Sequence, residues 1–336
     1  MVVDSAMEDR ADISGLLLHN SGAHEWVFRA DEARRSNAGF AVRSIPGKGH
    51  GAFALRDFAI GDLIMLEKPL VTWPAAAGEM TKGKLPDVLA AEMTRLGAQV
   101  RATFESLSQA EIHGAGQGLK TLSGIWLTNA IPSSEEDGTA SVYADACRLN
   151  HSCIPNVHHS IDRPDKAAHL RAMVKIRKGD ELLLSYIDAD NMTSEQRASK
   201  LSRVFGFHCS CVACSLTDGE LARSDTRRRR MYELRERLQS QAGCADAAEV
   251  VRCVDERLAA LRREGVPFVH GQEDMMIAME ACRSSGDLRA ASRWALRAAE
   301  CVRIGAGESN PIHSQLKQLA EMMMVQSGVD PRRFEF

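Results

Sequence analysis

An α+β fold is predicted by three observations. Apolar residues alternate at strand period over 40–73 and again over 157–187, the period lengthens to three and four residues over 86–109, and the chain beyond Cys214 keeps that longer period to its end. Alternation by two places side chains on one face of a strand, and a period near 3.6 places them on one face of a helix. The outline is a mainly β body with a helical insert, followed by a helical tail.

The bulk numbers narrow the function. A chain of 336 residues holds one body of about 200 residues and a smaller one. Its formal net charge of −3 supplies no overall basic field, so nucleic acid is not expected as a direct partner. No run approaches the roughly 20 apolar residues of a membrane span, and the charged first 20 residues do not read as a signal peptide, so no membrane role is expected. Nine cysteines, three of them within Cys209 to Cys214, fit thiolate-bound metal in a reducing compartment, nucleus or cytoplasm, better than disulfides.

The first 38 residues read as a tail, with a short helix over 25–34 as the alternative. Segments 41–45, 52–55, 63–66 and 70–71 then form a small meander around the Gly-rich turn 47–51 and the turn Gly61-Asp62. One amphipathic helix is expected over 86–109, carried by Leu89, Met93, Leu96, Val100, Phe104 and Leu107, and a shorter apolar segment follows over 122–131. The polar stretch 133–138 reads as a loop. Strands return over 157–161, 169–176 and 181–187, a helix is expected over 194–204, and further helices over 227–238, 245–261, 273–282, 288–302 and 312–324 read as a helical hairpin bundle, the last three suggesting antiparallel pairs like those of tetratricopeptide arrays without a clean 34-residue repeat.

Two strings carry the chemistry: Asn150-His151-Ser152-Cys153-Ile154-Pro155-Asn156, and Cys209-Ser210-Cys211-Val212-Ala213-Cys214. The second is a C-x-C-x2-C knuckle, and with Cys153 it supplies the four thiols of a closed tetrahedral zinc site. Four thiolates leave no open position, so such a metal is structural. Between the strings lies Gly179-Asp180-Glu181-Leu182-Leu183-Leu184-Ser185-Tyr186. Cys147 is near the cluster but outside its spacing, and Cys244, Cys253, Cys282 and Cys301 read as buried apolar residues on helices. The run 227–230 of four arginines reads as a solvated helix start, with part of an import signal as the alternative, and Met322-Met323-Met324 reads as helix core.

These strings, in this order, resemble the SET-domain protein methyltransferases, and most closely their SMYD-like branch. The resemblance implies a SET fold of small pseudoknotted sheets and an S-adenosylmethionine-dependent protein-lysine N-methyltransferase. Tyr186 would be catalytic, with Tyr186 and Phe205 forming the substrate channel. Lys48, Gly49, His50, Asn129, Asn150, His151 and Phe207 would line the cofactor pocket, and Cys153, Cys209, Cys211 and Cys214 would hold structural Zn2+. For the turn 47–51 a plain hairpin is the competing reading, and for Asn150-His151 a capped turn with a core histidine. Two departures are visible: Ala52 stands where relatives carry a larger aliphatic residue, and Phe205 where many carry tyrosine. No cysteine precedes Cys147, so the MYND zinc module of SMYD proteins is not expected. The implied organisation is a tail at 1–38, a SET domain at 39–190 with a helical insert at about 75–140, a post-SET knuckle at 191–220 and a C-terminal helical domain at 221–336. The partner would be a lysine-bearing protein or peptide and the chain a monomer. A catalytically silent SET module that binds a peptide or protein is the alternative.

Overall fold

The computed structural model describes residues 38–74, 85–110, 113, 120–134, 138–161, 165–240 and 246–329. The expected tail helix, Cys244 and residues 135–137 of the expected loop lie outside them. The strands are β1 (Phe40–Ile45), β2 (Gly49–Ala54), β3 (Leu63–Glu67), β4 (Val71–Pro74), β5 (Ile131–Ser134), β6 (Thr139–Val142), β7 (Asn150–His151), β8 (Val157–Ile161), β9 (Ala168–Ala172) and β10 (Glu181–Leu184). They make three small sheets, ordered β1-β2-β10-β7, β3-β9-β8 and β4-β6-β5. Short strands with a few apolar residues each cannot bury a core alone, so Phe40, Ala52, Leu170 and Leu182 of the first two sheets come together with Phe58 and Leu149 of the adjoining segments.

The insert departs from the expected single helix. It forms α1 (Leu85–Arg95) and α2 (Ala98–Ser106), because Gly97 takes an extended conformation, ψ 150°, that ends one helix and caps the next. A third helix, α3 (Leu122–Asn129), starts where the Thr121 side chain accepts the Gly124 N–H at 2.9 Å. Leu89, Met93, Phe104, Leu122, Ile125 and Trp126 pack the insert against the third sheet.

Helix α4 (Ser194–Phe205) opens on a reciprocal cap between Thr193 and Gln196 and closes on Gly206, whose φ of +73° few residues other than glycine adopt. That reversal puts Phe205 and Phe207 on the same side of the chain. Beyond the cysteines come α5 (Asp218–Ser240), α6 (Ala247–Arg263), α7 (Gln272–Ser284), α8 (Leu288–Gly305) and α9 (Pro311–Gln326), each packed on the next. Helix α5 starts nine residues before the sequence reading had it, because its buried face carries the polar Ser224 and Arg228 ahead of Met231, Leu234 and Leu238.

Three of the four arginines in the run of α5 make ion pairs. Arg227 and Arg228 meet Glu264 at 2.6 and 2.8 Å, and Arg230 meets Glu256 at 2.7 Å. The same helices grip the short 3-10 turn Ala189–Asn191. Arg228 donates to the Ala189 carbonyl at 2.6 Å, Arg257 to Asn191 at 2.9 Å, and His270 meets Asp190 at 2.5 Å. No helix of the described residues is long and apolar enough to cross a membrane.

Candidate active site and cysteine cluster

The β1–β2 hairpin, the end of α3, β7 and the segment after β10 enclose a cavity of about 310 Å3. Volumes of about 300–1,000 Å3 are usual for small-molecule sites. Lys48 and His50 of the hairpin, Asn129 of α3 and Asn150 of β7 supply polar groups to its wall, while Tyr186, Phe205 and Phe207 supply an aromatic one. Gly49 and His151, also expected there, are not on the wall.

The N-H-S-C segment reaches the site through strand pairing. Asn150 and His151 lie in parallel register with Leu183 and Leu184 of β10. Asn156 fastens the arrangement, donating to the Glu181 carbonyl and accepting the Leu183 N–H, both at 2.8 Å. Adjacent residues of a strand face opposite ways. Asn150 therefore turns to the cavity, and its Nδ2 donates to Glu181 Oε1 at 2.8 Å. His151 turns the other way. Its Nδ1 accepts the Tyr186 N–H at 3.0 Å, which leaves Nε2 as the protonated nitrogen facing Cys153 Sγ at 3.3 Å. Both ring nitrogens are engaged, so His151 serves the cavity by holding Tyr186 rather than by a side-chain contact. Burial, with a smaller contribution from Arg197, pushes its pKa down to about 4, and the ring is neutral at pH 7.

Tyr186 lies two residues beyond β10, which stops at Leu184 rather than running to 187 as the sequence suggested. Its hydroxyl donates to the Leu149 carbonyl at 2.6 Å while part of the ring stays open, the residue being 37% exposed. Burial of the hydroxyl, then the charges of Cys147 and Glu181, push the phenol above its ordinary pKa, so it remains neutral. Phe205 and Phe207 stand 5.2 and 6.5 Å from its ring centre, Phe207 edge-on. Among these aromatics only Tyr186 offers a hydroxyl to a bound group.

Cys153, Cys209, Cys211 and Cys214 place their sulfurs within 4.8 Å of one another, and Cys153 and Cys214 are 3.5 Å apart. A tetrahedron with metal–sulfur arms of about 2.3 Å has edges of about 3.8 Å, so the donor set fits a closed four-thiolate metal. Hydrogen bonds from Cys153, then Cys209 and Cys214, push the Cys211 thiol down and favour a thiolate there. Arg197 lies fully buried beside the cluster, donating to the carbonyls of Met192 and Ala213 at 2.8 and 3.2 Å. Burial lowers its pKa, but the hydrogen bond to Cys214 and the charges of Cys153 and Cys214 more than offset this.

Several residues of the site were not foreseen. Cys147 lines the cavity, bonded to the Asn129 carbonyl at 3.2 Å, and burial pushes its thiol up to about 12, so it is an unreactive wall residue outside the metal set. Ser108, Gln109 and Ala110 add a stretch of wall that no motif marks. Arg197 and Glu181 act behind the wall. Glu181 was visible within the Gly179-Asp180-Glu181-Leu182 string, but its target was not. The departure at Ala52 does not touch the site, since Ala52 is fully buried in the sheet core opposite Leu182.

Residues 49–187 match the SET domain family. That stretch of the chain is thus a SET domain. Within that class it is SMYD-like, with homology to set5 and SMYD proteins. It is 24% identical over 285 residues to histone-lysine N-methyltransferase set5 of Schizosaccharomyces pombe, covering 84% of this chain and 83% of set5. It is 25% identical over 201 residues to histone-lysine N-methyltransferase SMYD3 of Mus musculus, covering 57% of this chain and 45% of SMYD3. It is 38% identical over 98 residues to histone-lysine N-methyltransferase ATXR4 of Arabidopsis thaliana, covering 27% of this chain and 28% of that relative. The chain thus spans most of set5 but less than half of the other two.

Proposed function

We propose that this protein is an S-adenosylmethionine-dependent lysine N-methyltransferase acting on a protein substrate, with Tyr186 as the catalytic residue. The observation that carries the reading is the placement of Tyr186, its hydroxyl tied to Leu149, in the same cavity as Asn150 and Phe207. The polar lining from Lys48, His50, Asn129 and Asn150 suits the amino-acid and ribose ends of the cofactor, and Phe207 suits its adenine. Bound cofactor supplies a methyl group on a positively charged sulfur. The work left to the protein is alignment. Tyr186 spends its proton on Leu149, so its oxygen presents lone pairs to the amine and to the positive methyl. Phe205 and Phe207 narrow the approach and exclude water. The neutral phenol removes no proton, and the lysine must arrive deprotonated. Cys153, Cys209, Cys211 and Cys214 would hold structural Zn2+, fixing Phe205 and Phe207 in place. The substrate is a lysine-bearing protein or peptide, met by a monomer whose helices beyond residue 220 form a separate domain beside the SET body.

The test is calorimetric titration with S-adenosylhomocysteine, followed by transfer of radiolabelled methyl groups to lysine peptide arrays. Binding that is lost in Asn150→Ala, with transfer lost in Tyr186→Phe, supports the reading. Binding without transfer to any peptide turns it to a silent peptide-binding module, and no binding removes it.

A further inference from the structure

We propose that Glu181 is a positioning residue of the cavity: it locks the Asn150 carboxamide so that Oδ1 faces inward and receives a positively charged amino group. The ligand's identity rests on the methyltransferase reading above; the lock itself rests on the geometry. A carboxamide has two ends of nearly the same shape, and a wall that left it free would offer a donor or an acceptor indifferently. Glu181 removes that freedom, because an ionised carboxylate only accepts hydrogen bonds. Its Oε1 takes Asn150 Nδ2 at 2.8 Å, a charge-assisted contact, and the carbonyl end is left for the cavity.

The lock is held by three strands. Glu181 opens β10, paired with Phe53 of β2, and its carbonyl accepts Asn156 Nδ2 at 2.8 Å, so its backbone has little freedom. Asn150 is fixed by the parallel register of β7 with Leu183. Gly51 of β2 lies against the contact: a Cβ there would stand 2.8 Å from Glu181 Oε1 and 2.9 Å from Asn150 Nδ2, closer than side-chain carbons come. The same Cβ would also stand 2.5 Å from Ile45 Cδ1, so only glycine leaves room here for both the sheet packing and this hydrogen bond. The carboxylate's negative charge behind the carbonyl also favours a cation in front of it, and that charge reaches Tyr186, whose phenol it helps keep protonated. Glu181 does not line the cavity and acts through Asn150.

The experiment is a thermodynamic cycle between protein and ligand. Dissociation constants are measured for wild type, Glu181→Ala, Glu181→Gln and Gly51→Ala, with S-adenosylhomocysteine and with its analogue lacking the α-amino group. Glu181→Ala is expected to weaken S-adenosylhomocysteine about tenfold or more and the analogue less than threefold, since one charge-assisted contact is at stake. Gly51→Ala should repeat that pattern, and Glu181→Gln, whose amide oxygen still accepts from Nδ2, should recover most of the affinity. Equal losses for the two ligands, or no loss in Glu181→Ala, overturn the proposal while leaving the methyltransferase reading intact. A wild type that binds neither ligand overturns both.

Discussion

The hydroxyl proton of Tyr186 is committed to Leu149 at 2.6 Å, and this commitment decides what the residue does. Tyr186→Phe removes the oxygen proposed to face the amine without removing the ring that packs on Phe205. Turnover is expected to fall by about 10²–10³-fold, in line with loss of one preorganised group, while S-adenosylhomocysteine affinity changes by less than about threefold. Single-turnover methyl transfer beside calorimetry checks this. Because the phenol is pushed above its ordinary pKa by burial, the rise of rate with pH should follow the substrate amine and keep its shape in a slow Tyr186→Phe enzyme.

At the scale of elements, the cysteine knuckle and α4 act together. Cys153, Leu201 and Ala213 form a small core against which Phe205, Phe207 and the other three cysteines pack, so the cysteine cluster and the cavity wall share one support. One Zn2+ per chain is expected by elemental analysis. Chelation, or Cys211→Ser, should lower the melting temperature by about 10 °C and abolish ligand binding together with it. The β8 strand makes a second contact of this kind. His158 meets Gly305 of α8, where a Cβ would come 3.0 Å from the ring. Burial, then the charges of His159 and His270, lower the His158 pKa to about 3. The unfolded ring takes up a proton below pH about 6.5 and the folded ring does not, so its contribution is complete above that pH and is lost as pH falls toward 3. The free energy of unfolding, measured by urea titration, should drop between pH 6.5 and 4 with a slope of up to about 1.4 kcal/mol per pH unit from this residue. His158→Gln should flatten that slope.

The whole molecule is joined through buried charge. Glu264, at the end of α6, takes Ser224, Arg227 and Arg228, and Arg228 is fully buried between Glu264 and the Ala189 carbonyl. Removing one partner leaves a charge without compensation, so Glu264→Ala should cost about 3–5 kcal/mol in urea unfolding. Replacing Arg228 and Glu264 together by apolar residues of similar size should cost far less. The turn that Arg228 grips begins three residues after Tyr186, so the single substitution should also slow methyl transfer in the protein that remains folded.

Strand and helix character were legible in the sequence because apolar periodicity is local, and the clustering of four thiols because their spacing is written in short strings. The break at Gly97, the early start of α5 and the wall at Ser108, Gln109 and Ala110 were not, since each depends on what packs against the segment. The clearest division falls between Asn150 and His151. As neighbours in one motif they read as two contacts to one ligand. The parallel pairing of β7 with β10 sends them to opposite faces, Asn150 to the cavity beside Glu181 and His151 to Cys153 and the Tyr186 backbone. The sequence by itself determined which chemical groups are present and in what order. The tertiary structure decided which face each one serves, because strand register is set by partners some thirty residues away and a pleated strand allows neighbouring side chains only opposite sides.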